Sequence, residues 1–271
     1  MKWVRLTLVV VGALVVTAFG IDAADTLRGE NGTMLAQLVG KDAEECPKGM
    51  LPVRNVSGVA CVDAYEASPS EGCSILSPRH MRDTQRNLSV QGCGATSKEG
   101  SEPWRFVTRD QAMQLCARSE KRLPTSAEWY ALALGMADGP TACNTATRSV
   151  SSTGSFKECV SPAGAYDLVG NVWEWVRDDI IDGTYKERAL PETGYVAQVD
   201  ENGMATASTD NPDTPLFNDD YFWSQREGAY GIIRGGYYDS GNDGGVYAVH
   251  ADTPPTSASP GIGFRCVRDA V

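Results

Sequence analysis

Hydrophobic and polar positions along this chain follow three patterns, and each pattern predicts a different kind of element. An apolar run from 6 to 21 is broken only by small residues, Thr7 and Thr17. The segment 61–68 alternates apolar and polar side chains, which is typical of a half-buried strand. Two later segments repeat apolar residues at helical spacing. Beyond Asp138 that period ends, and short aromatic and glycine-rich pieces predict strands and loops.

Two capping boxes predict where helices begin. Thr108 pairs with Gln111, and Thr125 pairs with Glu128, in the spacing that satisfies the first free amides of a helix. The residues that follow on one face are Ala112, Leu115, Cys116 and Ser119 in the first helix, and Trp129, Leu132 and Ala133 in the second. Residues 69–103 are rich in Gly, Ser and Pro and are interpreted as a cross-linked loop. Helices that precede strands in this way predict an α+β fold.

The N-terminus has the pattern of an export signal. Lys2 and Arg5 precede the apolar run, and Ala18-Phe19-Gly20 offers a cleavage site of small residues. The run has 16 residues, and a helix needs about 20 to span a bilayer. Residues 1–21 are therefore either a cleaved signal peptide or a retained membrane anchor, and the protein is expected to be secreted or displayed at the cell surface.

The rest of the chain is expected to form a tether and one domain. Residues 22–45 are small and polar, and no internal repeat divides residues 46–271. The net charge of −11 argues against nucleic acid as a partner, because phosphate binding needs a basic face. An acidic surplus suits an exported protein or one that holds divalent cations. A membrane would be a partner only through the possible anchor.

Eight cysteines in a chain with an export signal indicate disulfide bonds, which persist in oxidising compartments. A zinc site is disfavoured, because the sequence has no CxxC pair and only His80 and His250 could supply imidazoles. Cys143 and Cys159 bracket a 15-residue loop and are expected to pair. Proximity along the chain suggests the pairs Cys46 with Cys61 and Cys73 with Cys93, although eight cysteines allow 105 connectivities.

Four motifs together resemble the formylglycine-generating-enzyme (sulfatase-modifying factor) family. They are RLPTSAEWYALALG at 122–135, GAYDLVGNVWEWVRD at 164–178, IIRGG at 232–236 and GIGFRC at 261–266. The resemblance covers about residues 46–269. It implies an irregular, loop-rich α+β domain related to C-type lectins. It also implies a disulfide between Cys116 and Cys266.

The second motif suggests calcium. Two carboxylates seven residues apart around a glycine turn, with free carbonyls between them, are the hard oxygen donors that Ca²⁺ takes. The resemblance implies Asp167 and Glu174 as side-chain ligands, Gly170 and Val172 as carbonyl ligands, and Asn144 at the start of a second calcium site. The alternative is that the two carboxylates only accept hydrogen bonds from loop amides. The neighbouring tryptophans, Trp173 and Trp175, are expected in the core.

The family's oxidase binds copper and substrate through two cysteines shortly after the RGG motif. Those positions fall at Ser240 and Gly245 in this sequence. Cu(I) requires thiolate or thioether ligands, and a serine hydroxyl cannot replace them. We therefore expect no formylglycine-generating activity and name no catalytic residue.

The segment between the last two motifs resembles the variable region of proteins diversified by retroelements. Residues 237–263 contain no Lys, Gln, Glu, Met or Trp, where about four would be expected from the composition of the chain. An ordinary loop poor in long side chains is the alternative. Its Tyr, Ser, Asp, Asn and Gly are the residues that binding loops favour. The predicted ligand-binding residues are Tyr237, Tyr238, Asp239, Ser240, Asn242, Asp243, Tyr247 and His250.

The leading hypothesis is an exported recognition domain that binds a protein or a glycan through this C-terminal segment. One alternative is an enzyme of the same superfamily with a rewired site, as in siderophore maturation. The other is a structural envelope protein in which the domain is a rigid spacer.

Overall fold

The computed structural model describes residues 46–54, 56–212 and 215–270. The predicted signal or anchor and the tether lie outside these residues. The helices are α1 (Met81–Leu88), α2 (Arg109–Ala117) and α3 (Ser126–Ala133). The strands are β1 (Met50–Pro52), β2 (Val59–Asp63), β3 (Ala67–Pro69), β4 (Ala95–Ser97), β5 (Trp173–Ile181), β6 (Thr184–Tyr185), β7 (Arg188–Ala189), β8 (Gly194–Val199), β9 (Ala205–Thr209), β10 (Tyr221–Trp223), β11 (Ala229–Arg234), β12 (Val249–Thr253), β13 (Ile262–Phe264) and β14 (Val267–Asp269).

Both predicted helices begin at their capping boxes. The Thr108 hydroxyl accepts from the Gln111 amide at 3.3 Å, and the Gln111 side chain accepts from the Thr108 amide at 3.1 Å. Thr125 and Glu128 make the same two bonds at the start of α3, at 3.1 and 2.7 Å. Each box satisfies two amides that a helix start leaves without partners.

Helix α1 corrects the interpretation of residues 69–103 as loop throughout. Its sequence, MRDTQRNL, has no apolar stripe and no side-chain cap. The helix is held by polar side chains that face inward: Asn87 bonds both backbone groups of Ile75, at 2.7 and 2.9 Å, and Thr84 accepts from the indole of Trp104 at 3.0 Å. A hydrophobic period could not reveal a helix that is anchored by hydrogen bonds.

One large sheet contains nine of the described strands. Eight follow the order β7-β6-β5-β11-β12-β10-β8-β9, and β13 pairs in parallel with β5. Strand β5 carries the WEW part of the second motif, β11 ends at the arginine of the RGG motif, and β13 lies within GIGFRC. Three of the four resemblance motifs are therefore neighbours in the sheet, and the first motif contains helix α3. The described residues form three helices and a sheet-dominated domain, as the α+β prediction requires.

Two smaller sheets and four disulfides close the domain. Strand β14 pairs with β2, so the end of the chain returns to its first strands. The disulfides join the same four pairs that were named from the sequence: Cys46–Cys61, Cys73–Cys93, Cys116–Cys266 and Cys143–Cys159. Four disulfides suit an oxidising environment. Among the described residues, no helix has the length and apolar character needed to cross a membrane.

The core consists of two clusters on either side of the central strands. One surrounds Trp129 of α3 and the inner faces of β8, β10 and β12. The other lies under α2 and includes Trp104, Trp173 and Trp175. Trp173 is 5% exposed and Trp175 is fully buried, which places both in the core as the sequence predicted.

Candidate functional site

The loop before β5 folds around a polar network. Asp167 and Asn171 adopt positive φ values of 58° and 57°, which short polar side chains tolerate better than most. Gly170 has φ +74°, and a side chain there would collide with the Asn144 carbonyl. The Asn171 side chain donates to Glu66 at 2.6 Å and accepts from Asn144 at 3.0 Å. These contacts fix the positions of the predicted calcium ligands.

Three buried carboxylates face one buried guanidinium beneath this loop. Glu66, Asp167 and Glu174 are at most 2% exposed, and Arg265 is fully buried. Arg265 donates to both oxygens of Glu174 at 2.7–2.8 Å, and the Trp129 indole donates to the same carboxylate at 2.7 Å. The group carries more negative than positive formal charge. A divalent cation would balance that excess.

Burial raises the pKa of all three carboxyl groups, because a charged carboxylate loses its hydration there. The pKa of Glu66 lies well above its ordinary value, and the charges of Asp167 and Glu174 raise it further. The pKa of Asp167 rises to about 6 through burial, although a 2.6 Å bond from the Gly154 amide and the charge of Arg265 oppose the rise. Burial raises the pKa of Glu174 too, against the effect of Arg265.

The predicted calcium ligands Asp167 and Glu174 belong to this acidic cluster, but several of their oxygens already accept hydrogen bonds. Within the described ranges, no group of three or more His, Cys, Asp or Glu residues is arranged to hold a metal ion. Both oxygens of Glu174 are engaged by Arg265, and one oxygen of Asp167 accepts from Gly154. A calcium ion here would depend on Asp167 and on backbone carbonyls such as those of Gly170 and Val172. Asn144, proposed for a second site, uses its amide nitrogen to bond Ser149 and Asn171.

The segment after the RGG motif opens with four predicted ligand-binding residues at the surface. Tyr237 and Tyr238 are half-buried, with ring centres 4.9 Å apart. The Ser240 hydroxyl accepts from the Tyr237 amide at 2.9 Å and closes a short turn. Asp239 is exposed and lies 4.0 Å from Arg148. The turn therefore presents the Tyr238 ring and a carboxylate, while Tyr237 packs partly against the second core cluster.

The next three predicted residues have different environments. Asn242 is exposed and Asp243 is half-buried, both in a short 3₁₀ helix at Gly241–Asp243. Burial raises the pKa of Asp243. Tyr247 packs against core residues: its ring centre lies 5.0 Å from Phe217 and 5.8 Å from Tyr130. Tyr247 was predicted as a surface residue that binds ligand, but its ring packs against the core.

His250 belongs to a row of rings on the outer face of the large sheet. Its ring stacks on Trp223 with centres 3.9 Å apart and a 7° angle between planes. Trp223 contacts Tyr221 at 4.7 Å, and Tyr221 contacts Tyr195 edge-on at 4.9 Å. Tyr195, Tyr221, Trp223 and His250 are hereafter called the aromatic face. All four are half-buried.

Strand register places these rings on one side of three neighbouring strands. Tyr221 of β10 pairs with Tyr195 of β8, and Trp223 pairs with His250 of β12. The residue between the two rings of β10, Phe222, points to the opposite side and is buried in the core. Side chains alternate along a strand, so the rings lie on the face opposite Phe222, where Trp223 packs partly against the second core cluster.

Three of these four rings were not predicted from the sequence. Tyr195, Tyr221 and Trp223 lie before the RGG motif, outside the segment whose composition drew attention. The signal that could have found them is the triplet Tyr221-Phe222-Trp223, because alternation along a strand places rings on both faces of the sheet.

A comparison of the sequence with protein families now identifies the scaffold. Residues 51–270 match the model of the Sulfatase-modifying factor enzyme 1-like domain, the FGE-sulfatase family. The chain belongs to this family. The match covers most of the chain and includes all four motifs.

Among curated proteins, this FGE-sulfatase domain is similar to serine/threonine-protein kinase Pkn1 of Chlamydia trachomatis serovar L2. The two are 27% identical over 157 residues, which are 55% of this chain and 21% of the kinase. The chain thus spans about a fifth of that relative.

Three solved structures illustrate what this chain is similar to. The Major Tropism Determinant P3c variant has a TM-score of 0.46 and 18% identity, over 83% of this chain and 53% of that one. Treponema denticola variable protein 1 has a TM-score of 0.47 and 15% identity, over 82% and 95%. PvdO from Pseudomonas aeruginosa has a TM-score of 0.45 and 15% identity, over 78% and 80%. This chain spans about half the length of the Major Tropism Determinant.

In this FGE-sulfatase domain, the two positions assigned from the sequence to the oxidase cysteines both have structural roles. Ser240 uses its hydroxyl in the turn described above. Gly245 is buried, and a side chain on it would overlap the carboxylate oxygens of Asp220. Asp220 accepts from the Tyr247 amide at 2.6 Å and so holds this loop in place.

Proposed function

We propose that this protein is an exported recognition protein whose aromatic face, together with the turn at Tyr237–Ser240, binds a partner protein or glycan. The observation that carries the proposal is the row of four half-exposed rings on the outer face of the sheet. Large apolar side chains gathered on a surface are typical of binding sites. Tyrosine and tryptophan also supply contact area at a low entropy cost.

The scaffold beneath this surface supports the proposal. The Cys116–Cys266 bond and the pairing of β14 with β2 hold the chain in place just after residues 237–263. The Cys266 amide also donates to Asp63 at 2.9 Å, in a fully buried position. A surface that is already ordered before binding loses less entropy on complex formation.

The chemistry of the loop after RGG favours recognition over the family's oxidation. Ser240 and Gly245 stand where thiolates would be needed, and the space around Gly245 is filled by Asp220. Export is proposed from the N-terminal pattern and the four disulfides. Calcium is proposed as a structural ion that would balance the buried carboxylates.

Diversification of residues 237–263 by a retroelement is part of the proposal. Its support is the absence of Lys, Gln, Glu, Met and Trp from that segment. The check is genomic: a reverse-transcriptase gene and an imperfect repeat of this segment should lie beside the gene. A locus with neither would contradict diversification and leave the binding surface itself untouched.

Binding is tested by selecting ligands for the whole protein from a displayed peptide library and a glycan array. Trp223→Ala and Tyr238→Ala should each reduce the binding free energy of the selected ligands by about 2 kcal/mol, because aromatic residues near the centre of an interface carry most of its affinity. Their melting temperatures should stay near that of the parent protein.

Two matched variants serve as controls. Tyr65 stacks on Tyr166 at 5.2 Å and is half-buried, so Tyr65→Ala removes a ring of similar exposure elsewhere. Ser257→Ala changes a small residue within residues 237–263. Both should leave affinity almost unchanged. Equal losses for Tyr65→Ala and Trp223→Ala, or ligands insensitive to every variant, would contradict the proposed surface.

A further inference from the structure

We infer that the ligand of the aromatic face is a basic segment of a partner protein, whose arginine or lysine side chains lie against the rings of Trp223 and Tyr221. This inference rests on the proposed function and adds the chemistry of the partner. It follows from two features that meet at the same place, a connected row of electron-rich rings and a set of carboxylates around it.

The rings form a continuous path rather than separate contacts. Successive ring centres from Tyr195 through Tyr221 and Trp223 to His250 are 4.9, 4.7 and 3.9 Å apart. Trp173 supports the far end, with its ring edge-on to both Trp223 and His250 at 5.8 and 4.9 Å. The faces of indole and phenol rings attract cations through their quadrupoles, and tryptophan does so best.

Carboxylates lie at both ends of this path. The Asp252 carboxylate accepts from Nδ1 of the His250 ring at 3.1 Å, and its side chain is 19% exposed. At the other end, burial raises the pKa of the Tyr195 hydroxyl, and the charges of Asp243 and Asp219 contribute to the rise.

The turn at Tyr237–Ser240 carries a further carboxylate, Asp239, which lies 4.0 Å from Arg148. The charge of Asp239 raises the pKa of Tyr237, again after burial. Strand β12 continues the pattern, because His250 and Asp252 point outward while Val249 and Ala251 are buried. Rings bordered by carboxylates favour a positively charged ligand and disfavour a negatively charged one by repulsion.

Arginine suits the surface better than lysine. A planar guanidinium stacks on an aromatic face while its edge donates to a carboxylate, whereas a lysine ammonium is a compact and strongly hydrated charge. We therefore expect the partner segment to be richer in arginine, and binding to weaken as salt rises, because exposed charges are screened over about 8–10 Å.

The test measures binding of fluorescent hexa-arginine, hexa-lysine and hexa-glutamate peptides to the whole protein. Hexa-arginine should bind most tightly, and hexa-glutamate should not bind. Trp223→Leu keeps an apolar side chain and the net charge but removes the ring, so it should weaken hexa-arginine about tenfold. Asp243→Asn should weaken it several-fold at low salt and less at high salt.

Controls separate this site from general attraction to an acidic protein. Tyr65→Leu removes a ring elsewhere, and Asp210→Asn removes an exposed charge from the loop after β9. Both should change hexa-arginine affinity less than twofold. Asp210→Asn and Asp243→Asn could lower the affinity for hexa-arginine equally while Trp223→Leu leaves it unchanged. In that case the peptide responds to the net charge of −11 alone, and the inference is wrong.

The two proposals fail in different ways. If neutral peptides or glycans bind and lose affinity in Trp223→Ala, the recognition surface stands and the basic partner is refuted. If tetramethylammonium at millimolar concentration displaces hexa-arginine completely, a small cationic molecule replaces the basic protein segment as the ligand. Hexa-arginine that resists this competitor and loses affinity in Trp223→Leu supports the inference.

Discussion

The guanidinium of Arg265 holds both oxygens of the Glu174 carboxylate, and neither side chain is exposed to solvent. The two residues come from the second and fourth family motifs and are 91 positions apart. Arg265 also donates to the Asp63 and Tyr166 carbonyls, at 3.1 and 2.6 Å. This pair therefore ties the start, the middle and the end of the domain together.

Glu174→Gln should destabilise the fold by about 3–5 kcal/mol, because it leaves a buried guanidinium without its charge partner. Urea unfolding followed by fluorescence measures the loss. The double variant Glu174→Leu with Arg265→Met should cost less than the two single changes together, since each single change breaks the same ion pair. Glu192→Gln, in the exposed pair with Arg226, should cost under about 1 kcal/mol. A similar loss in Glu174→Gln and Glu192→Gln would contradict the role given to the buried pair.

Calcium should raise the melting temperature. Binding to the folded state alone adds about 2.7 kcal/mol at a hundredfold excess over Kd. Chelator should reverse the gain, and Asp167→Ala should abolish the response to either treatment. An unchanged melt in chelator would show that the three buried carboxylates are balanced without a metal.

Stability measured in chelator should depend on pH through Asp167. Its carboxyl has an ordinary pKa near 3.8 and a folded-state pKa of about 6, so the folded state binds the proton more tightly. The contribution is therefore fully present below about pH 4 and is lost as the pH rises from about 4 to 6. Asp167→Asn keeps the acceptor for Gly154 and should flatten the profile in that window. A loss of stability on acidification through the same window in the parent protein, absent in the variant, would reverse the assigned sign.

The disulfide between Cys116 and Cys266 should contribute about 5 kcal/mol in the chain-entropy model, because it closes 150 residues. Replacing both cysteines with serine should lower the urea midpoint more than the same change at Cys143 and Cys159, which closes 16 residues. Equal effects at the two sites would mean that loop length does not govern stability here.

Local signals in the sequence predicted local features well. The capping boxes at Thr108 and Thr125 place two helix starts, since a cap depends on residues three positions apart. Helix α1 escaped prediction because Asn87 and Thr84 hold it through distant partners. The family resemblance supplied the fold and the calcium hypothesis, which composition alone would not have given.

Most of the candidate surface depends on strand order, which the sequence does not encode locally. Strand β10 pairs in parallel with β12, and this brings Trp223 against His250 across 27 positions of sequence. The buried charges around Asp167 come from even more distant positions, since Glu66 and Arg265 each lie about 100 residues away along the chain. The sequence therefore points to His250 but gives no local sign of the rings beside it.

The alternation along β12 has an evolutionary consequence. Val249 and Ala251 fill the core, while His250 and Asp252 would border the proposed ligand. Mutations at the two outward positions can change what is bound without disturbing the packing beneath. A library that varies only His250 and Asp252 should thus yield mostly folded proteins with new binding preferences, whereas one that varies Val249 and Ala251 should yield mostly unfolded chains.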